Sequence, residues 1–330
     1  MFRSKSSFRV FTLCSLCMLI ASSARAELTT ATTSLSGQST VLVSGSGTAT
    51  LNNLSGTYKQ WVVFTHTNLN ISANPQTVNL SIPNSGGTYN STGSTTIQYQ
   101  SQSPPAPVSV DSLSINLLGG SSVPVNLNID PIQVSTSLGN FGLQLAFAGQ
   151  ISSLSFASNA PADASLGGYS SPGSITAVIS GNVTATLTGV PLVGNISLGT
   201  IYTLDPEAVT TDLDLPGLIA LSDLSGGNGP YPADLGVGLS FPNILAGLVI
   251  PFSLPFNINQ SASIPNGSSG ISSLVASGQI NANLTVGSLQ YALTGVVPGG
   301  IAVPEFSSLG LAAMGVVGVA VPMWRRRKSA

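Results

Sequence analysis

Apolar residues alternate with Ser, Thr and Asn along much of the chain. Val78, Leu80 and Ile82 alternate with Asn79 and Ser81, and Leu113, Ile115 and Leu117 with Ser112, Ser114 and Asn116. The same period recurs at Val125, Leu127 and Ile129, at Val183, Ala185 and Leu187, and at Ile280, Ala282, Leu284 and Val286. A period of two puts one set on each face of an extended segment, so these stretches predict half-buried antiparallel strands. Turn signals at Asn84-Ser85-Gly86-Gly87, Gly119-Gly120 and Pro265-Asn266-Gly267 separate them. Many strands and no convincing helix in the body predict an all-β fold, an antiparallel β-sandwich or a barrel-like body. A β-solenoid is the alternative, because residues 175–189 (ITAVISGNVTATLTG) and 271–287 (ISSLVASGQINANLTVG) look alike. Two loose copies about a hundred residues apart are, however, not the short regular repeat of a solenoid.

The adjacent Pro104 and Pro105 cannot continue a ladder, so residues 101–107 read as a linker between an N-terminal β-region at 27–100 and a larger one at 108–302. A long crossover inside one domain fits the same residues.

Composition narrows the chemistry. Of the 330 residues 42% are apolar and only 6% charged, against about a quarter charged in ordinary soluble domains. Between Glu27 and Ala302 ten acidic residues face the single Lys59, a formal charge of −9. Such a surface repels phosphate backbones, which excludes nucleic acid as a partner.

The remaining cations sit at the two ends. Arg3, Lys5 and Arg9 precede an apolar run from Val10 to Ala21, and Ala24-Arg25-Ala26 supplies small residues at −3 and −1. This pattern predicts a secretory signal peptide over 1–26, cut by signal peptidase before Glu27. Cys14 and Cys17 both fall inside it, so the mature chain has no thiol. Residues 307–324 read SSLGLAAMGVVGVAVPMW and carry no charge. As a helix they span about 27 Å, enough for one membrane crossing. Arg325, Arg326, Arg327 and Lys328 follow at once and resist translocation, a cytoplasmic stop that leaves the body outside.

Val303-Pro304-Glu305-Phe306 stands just before that apolar run. The short motif, the apolar Gly/Ala/Leu/Val helix and the terminal basic cluster resemble the PEP-CTERM sorting tail of bacterial exported proteins. Phe306 replaces the usual second Pro and gives a Pro-Glu-Phe variant. The resemblance covers 303–330 alone. It implies an exosortase, a membrane-embedded cysteine transpeptidase or protease, that reads Pro304 and Glu305 while the helix is a transient anchor. The protein is then released or re-attached at the cell surface, near exopolysaccharide.

Little else suggests catalysis. His66 is the only histidine, and no Gly-x-Ser-x-Gly elbow accompanies it. It reads as one more position on an aromatic strand, Trp61-Val62-Val63-Phe64-Thr65-His66. The expectation is therefore a noncatalytic protein without an obligatory cofactor. Asp205, Glu207, Asp212 and Asp214 are close in sequence and are the candidate ligands for a calcium ion, although an EF-hand's Gly and terminal Glu are missing. Aromatic residues on a β-face can stack on sugars, which makes Tyr58 and Trp61 candidate ligand contacts. Two functions follow: a noncatalytic cell-surface or extracellular-matrix protein, and a carbohydrate- or ligand-binding β-module on the same export route. Ice binding is a weaker third, since the Thr spacing is irregular.

Overall fold

The alternation read from the sequence becomes one continuous sheet face in the computed structural model, which describes residues 27–101, 104–136, 139–190, 194–224, 233–241 and 248–301. In β5 (Val123–Ile129) every odd-numbered residue is buried and every even-numbered one exposed, as a pleat with one apolar side requires. The other strands are β1 (Glu27–Val62), β2 (Thr65–Ala73), β3 (Gln76–Ser101), β4 (Ala106–Asn116), β6 (Ile132–Thr136), β7 (Gly139–Ser158) and β8 (Ala162–Asp163). After them come β9 (Gly168–Val190), β10 (Gly194–Asp223), β11 (Ala233–Phe241), β12 (Leu248–Ser261) and β13 (Gly270–Ile301). Every pairing among them is antiparallel, unlike the stacked parallel coils of a β-solenoid.

Hydrogen bonding runs in a circuit. β1 pairs with β13, β13 with β11, β11 with β10, β10 with β9, β9 with β7, β7 with β5, β5 with β3, and β3 again with β1. The sheet thus closes on itself, and its inward residues form one apolar core. That core takes residues from both sides of 101–107, for example Ile97 and Tyr99 of β3 with Val110 and Leu113 of β4, and β3 and β4 pair from Thr92↔Asn116 to Gln100↔Ala106.

One stretch of the circuit is open. Among the described residues, β10 is paired from Gly194 to Gly217 along one edge only, with β9, and β12 is paired only with β13. No ladder joins β10 to β12 among the described residues. Pro251 and Pro255 of β12 lie opposite Asn283 and Gln279 of β13. Having no N–H, they suit an edge strand and prevent the seam from zipping shut. A side chain bridges it instead, the Gln260 amide donating to the Leu198 carbonyl.

Glycine within strands seats aromatic rings. A Cβ added at Gly181 would lie 2.6 Å from the Phe147 ring, and one at Gly278 2.3 Å from that of Phe256. The Asn84-Ser85-Gly86-Gly87 turn signal is not a turn: these residues lie inside β3, where pairing slips from Val43↔Ser85 to Gly45↔Ile82 and makes a bulge. Gly119-Gly120 and Pro265-Asn266-Gly267 do fall in turns between strands.

Ser171 is fully buried in β9, and its hydroxyl has no hydrogen-bond partner among the described residues. A buried unsatisfied hydroxyl costs about 1–3 kcal/mol. Ser171→Ala is therefore expected to hold or raise stability, by up to about 1 kcal/mol, in urea unfolding; a clear loss would show that the hydroxyl has a partner.

The described residues contain no helix long and apolar enough to cross a membrane. The expected helix at 307–324 lies outside them, as do Ala24, Ala26, Val303 to Phe306 and Arg325 to Lys328.

Candidate functional site

The aromatic run at 61–66 folds back on itself instead of continuing as one strand. β1 ends at Val62 and β2 begins at Thr65, so Val63 and Phe64 form a two-residue hairpin turn with φ of 39° and 73°. The twist of paired strands favours turns with positive φ, and Asn-Gly is the usual solution. Here a β-branched and an aromatic residue occupy those positions, a backbone strain of about 1–3 kcal/mol each. Both side chains project into solvent, Val63 78% and Phe64 85% exposed.

The tip is firmly seated. Trp61 and His66 are direct cross-strand neighbours with ring centroids 4.8 Å apart at 74°, an edge-on contact. The Trp61 backbone N–H donates to the Ser269 hydroxyl at 2.8 Å, and His66 Nε2 lies 3.0 Å from the Ser268 carbonyl, to which an N–H there donates. The loop before β13 thereby buttresses the hairpin. His66 spends its ring on that contact.

Tyr58 does not belong to this surface. It is 3% exposed and packs in the core, where burial raises its phenol pKa despite an opposing hydrogen bond with Ser269. The reason is parity: residues three apart on a strand point to opposite faces, so Tyr58 and Trp61 cannot share one. Trp61, half-buried, is the member left for ligand contact.

The four acids lie on β10 with exposed side chains. Strand geometry spreads them. Pairing from Glu207↔Ile179 to Asp212↔Ser174 is uninterrupted, so these two are roughly 16 Å apart along the strand. Calcium ligands lie about 2.3–2.6 Å from the ion, so one ion cannot bind both ends of the set. Among the described residues no three His, Cys, Asp or Glu gather to hold a metal.

Sequence reasoning missed a groove of ≈ 670 Å³ along the open seam, bordered by 207–210 of β10, 251–253 of β12, 281–283 of β13, and Gly47 and Thr48 of β1. Four strands contribute, so no local motif marks it. Its only trace in the sequence is the pair of edge-type prolines, Pro251 and Pro255.

No family model matches the chain, and no curated protein does. Two solved structures of the secretin InvG of the Salmonella SPI-1 injectisome align with it. The secretin-domain β-barrel in the NC-base is 12% identical, covering 93% of this chain and 74% of that one, with a TM-score of 0.15. The open-gate form is 9% identical, covering 96% and 71%, with a TM-score of 0.12. Likeness at that level carries no argument about fold or function.

Proposed function

We propose that this chain is an exported, noncatalytic cell-surface or extracellular-matrix protein, carried by a cleaved signal peptide and sorted by an exosortase-like enzyme through its C-terminal tail. One observation carries the reading: Val303-Pro304-Glu305-Phe306, the uncharged run at 307–324 and the cations Arg325 to Lys328 stand in that order. The helix at 307–324 holds the protein in the inner membrane until Pro304 and Glu305 are read, after which the body is released or re-attached outside. Its outer face suits that setting. Threonine hydroxyls pair across strands, Thr32 with Thr96 at 2.9 Å and Thr176 with Thr210 at 2.9 Å, so the surface is hydrated by hydroxyls and amides in place of charges.

Mass spectrometry of the mature protein tests this. The expected species begins at Glu27 and has lost residues 307–330, and Glu305→Ala retains them. An exported protein that keeps its tail, or a Glu305→Ala protein processed like wild type, would falsify the sorting route.

A ligand-binding module is the second reading, favoured by the strained, exposed Val63-Phe64 tip. On that reading Trp61 is the contact residue.

A further inference from the structure

We propose that this chain pairs with a second copy of itself along the open edge of β2. β1 covers one side of β2 from Thr65 to Ala73 without a register shift, whereas β6 covers the other side only at Ile71 and Ser72. Among the described residues, Thr65 to Asn70 therefore have no strand on that second side. Their backbone groups are aimed there. The Trp61 N–H and the Thr57 carbonyl turn away from β2, to the Ser269 and Ser272 hydroxyls, so Trp61↔His66 and Thr57↔Asn70 are pairs that exchange no backbone hydrogen bonds. By the same alternation Lys59↔Asn68 is a third. His66, Asn68 and Asn70 thus present both N–H and C=O to the open side.

Open edges usually carry devices that block pairing with other chains. Along β12 these are Pro251 and Pro255, and along β10 the exposed Glu207, Asp212 and Asp214 with repeated register shifts against β9. β2, which reads THTNLNISA, has no proline, no charge and no bulge. None of the ten acidic residues between Glu27 and Ala302 lies on β2, or on β1 from Leu54 to Val62. Two such edges therefore meet without the repulsion that keeps the rest of the bodies apart.

The edge also fits itself. In antiparallel pairing about a two-fold axis at Asn68, Asn68 stands opposite its own copy, and His66 of each chain opposite Asn70 of the other. All three pairs are of the hydrogen-bonded kind, with two bonds each. Their side chains share the outer face, where each Asn68 amide can donate to and accept from the other. On the inner face Leu69, half-buried against the core, meets Thr67 of the other copy. The same register brings each exposed Val63-Phe64 tip up to Ser72 of the other copy, where β6 closes the open stretch. An extended peptide is the competing occupant. It must be ordered as it docks, whereas both β2 edges are already extended and held by β1. Neither the sorting tail nor a ligand at Trp61 enters into this.

Sedimentation velocity of the detergent-solubilised full chain over a range of concentrations is the test, and wild type is expected to dimerise. Asn68→Lys sets like charges against each other at the axis, and Asn68→Pro removes an outward N–H while leaving the β1 ladder whole. Each, checked for a wild-type melting curve, is expected to weaken the dimer by roughly tenfold or more. Ser94→Lys, an equal charge change at an exposed position of β3, leaves it unchanged. With Cys14 and Cys17 replaced by Ser, Asn68→Cys is expected to cross-link on mild oxidation and Ser94→Cys is not. The proposal fails if wild type stays monomeric throughout, if both Asn68 variants dimerise like wild type, if Ser94→Lys weakens the dimer as much, or if Ser94→Cys cross-links as readily. A monomeric wild type that binds an unrelated extended peptide, with binding lost on Asn68→Pro, would assign the edge to strand capture instead.

Discussion

Gly217→Ala is expected to destabilise the fold by about 2–3 kcal/mol, against the usual direction of Gly→Ala in a strand. Shortening the unfolded chain's conformational freedom alone would stabilise it by about 0.4–1 kcal/mol. The new methyl, however, would lie 2.4 Å from Tyr169 Cζ and 2.6 Å from the Tyr291 hydroxyl oxygen. Both rings are buried, at 5% and 3% exposure, and cannot swing aside. Overpacking of this kind costs about 1–3 kcal/mol, and disturbing the buried hydroxyl pair adds to it. Urea unfolding is the measurement. In a Tyr169→Leu background the added penalty of the alanine should shrink below about 1 kcal/mol, because its main obstacle is gone. Wild-type stability of the single variant would show that the rings are not seated on Gly217.

Those two tyrosines should also make the protein sensitive to alkali. Tyr291 donates to the Pro216 carbonyl at 3.0 Å, so its oxygen accepts the proton of Tyr169 at 2.8 Å. Burial comes first in holding both phenols neutral, and pushes the Tyr169 pKa up to about 12 and that of Tyr291 higher still. In the unfolded chain both ionise near pH 10. Above that pH the unfolded state has released protons that the native state keeps, so stability falls as pH rises. The slope is about 1.4 kcal/mol per pH unit for each tyrosine, hence roughly 5 kcal/mol for the pair between pH 10 and 12. That is a large part of the about 5–15 kcal/mol that typically holds a domain. A Tyr169→Phe, Tyr291→Phe double variant should flatten this part of the unfolding-against-pH curve. An equally steep fall in that variant would place the sensitivity elsewhere.

The inward faces were legible because they need only a local period. Val183, Ala185 and Leu187 of β9 and Ile280, Ala282, Leu284 and Val286 of β13 are all buried as their alternation requires. Strand length was not legible, since glycine ordinarily punctuates. β1 runs through Gly45, Gly47 and Gly56, each pressed on the backbone of β13, where an added Cβ would lie within 2.4 Å of a carbonyl oxygen. The hairpin at Val63-Phe64 carries no turn residue, so it read as strand. Pairing of Ser36 with Thr294 leaves no trace in either neighbourhood. Of the candidate contacts Trp61 kept a surface position and Tyr58 did not, a difference that strand parity would have revealed. The seam groove is assembled from residues far apart in the chain, which no spacing rule can detect.

The ladder between β1 and β13 has a mechanical consequence. It runs from Ser36↔Thr294 to Lys59↔Gly270, with the hairpin tip beyond one end and Ile301 beyond the other. Tension applied between the tip and Ile301 would pull the two strands past each other lengthwise. Every rung would then resist together, whereas peeling breaks them in succession.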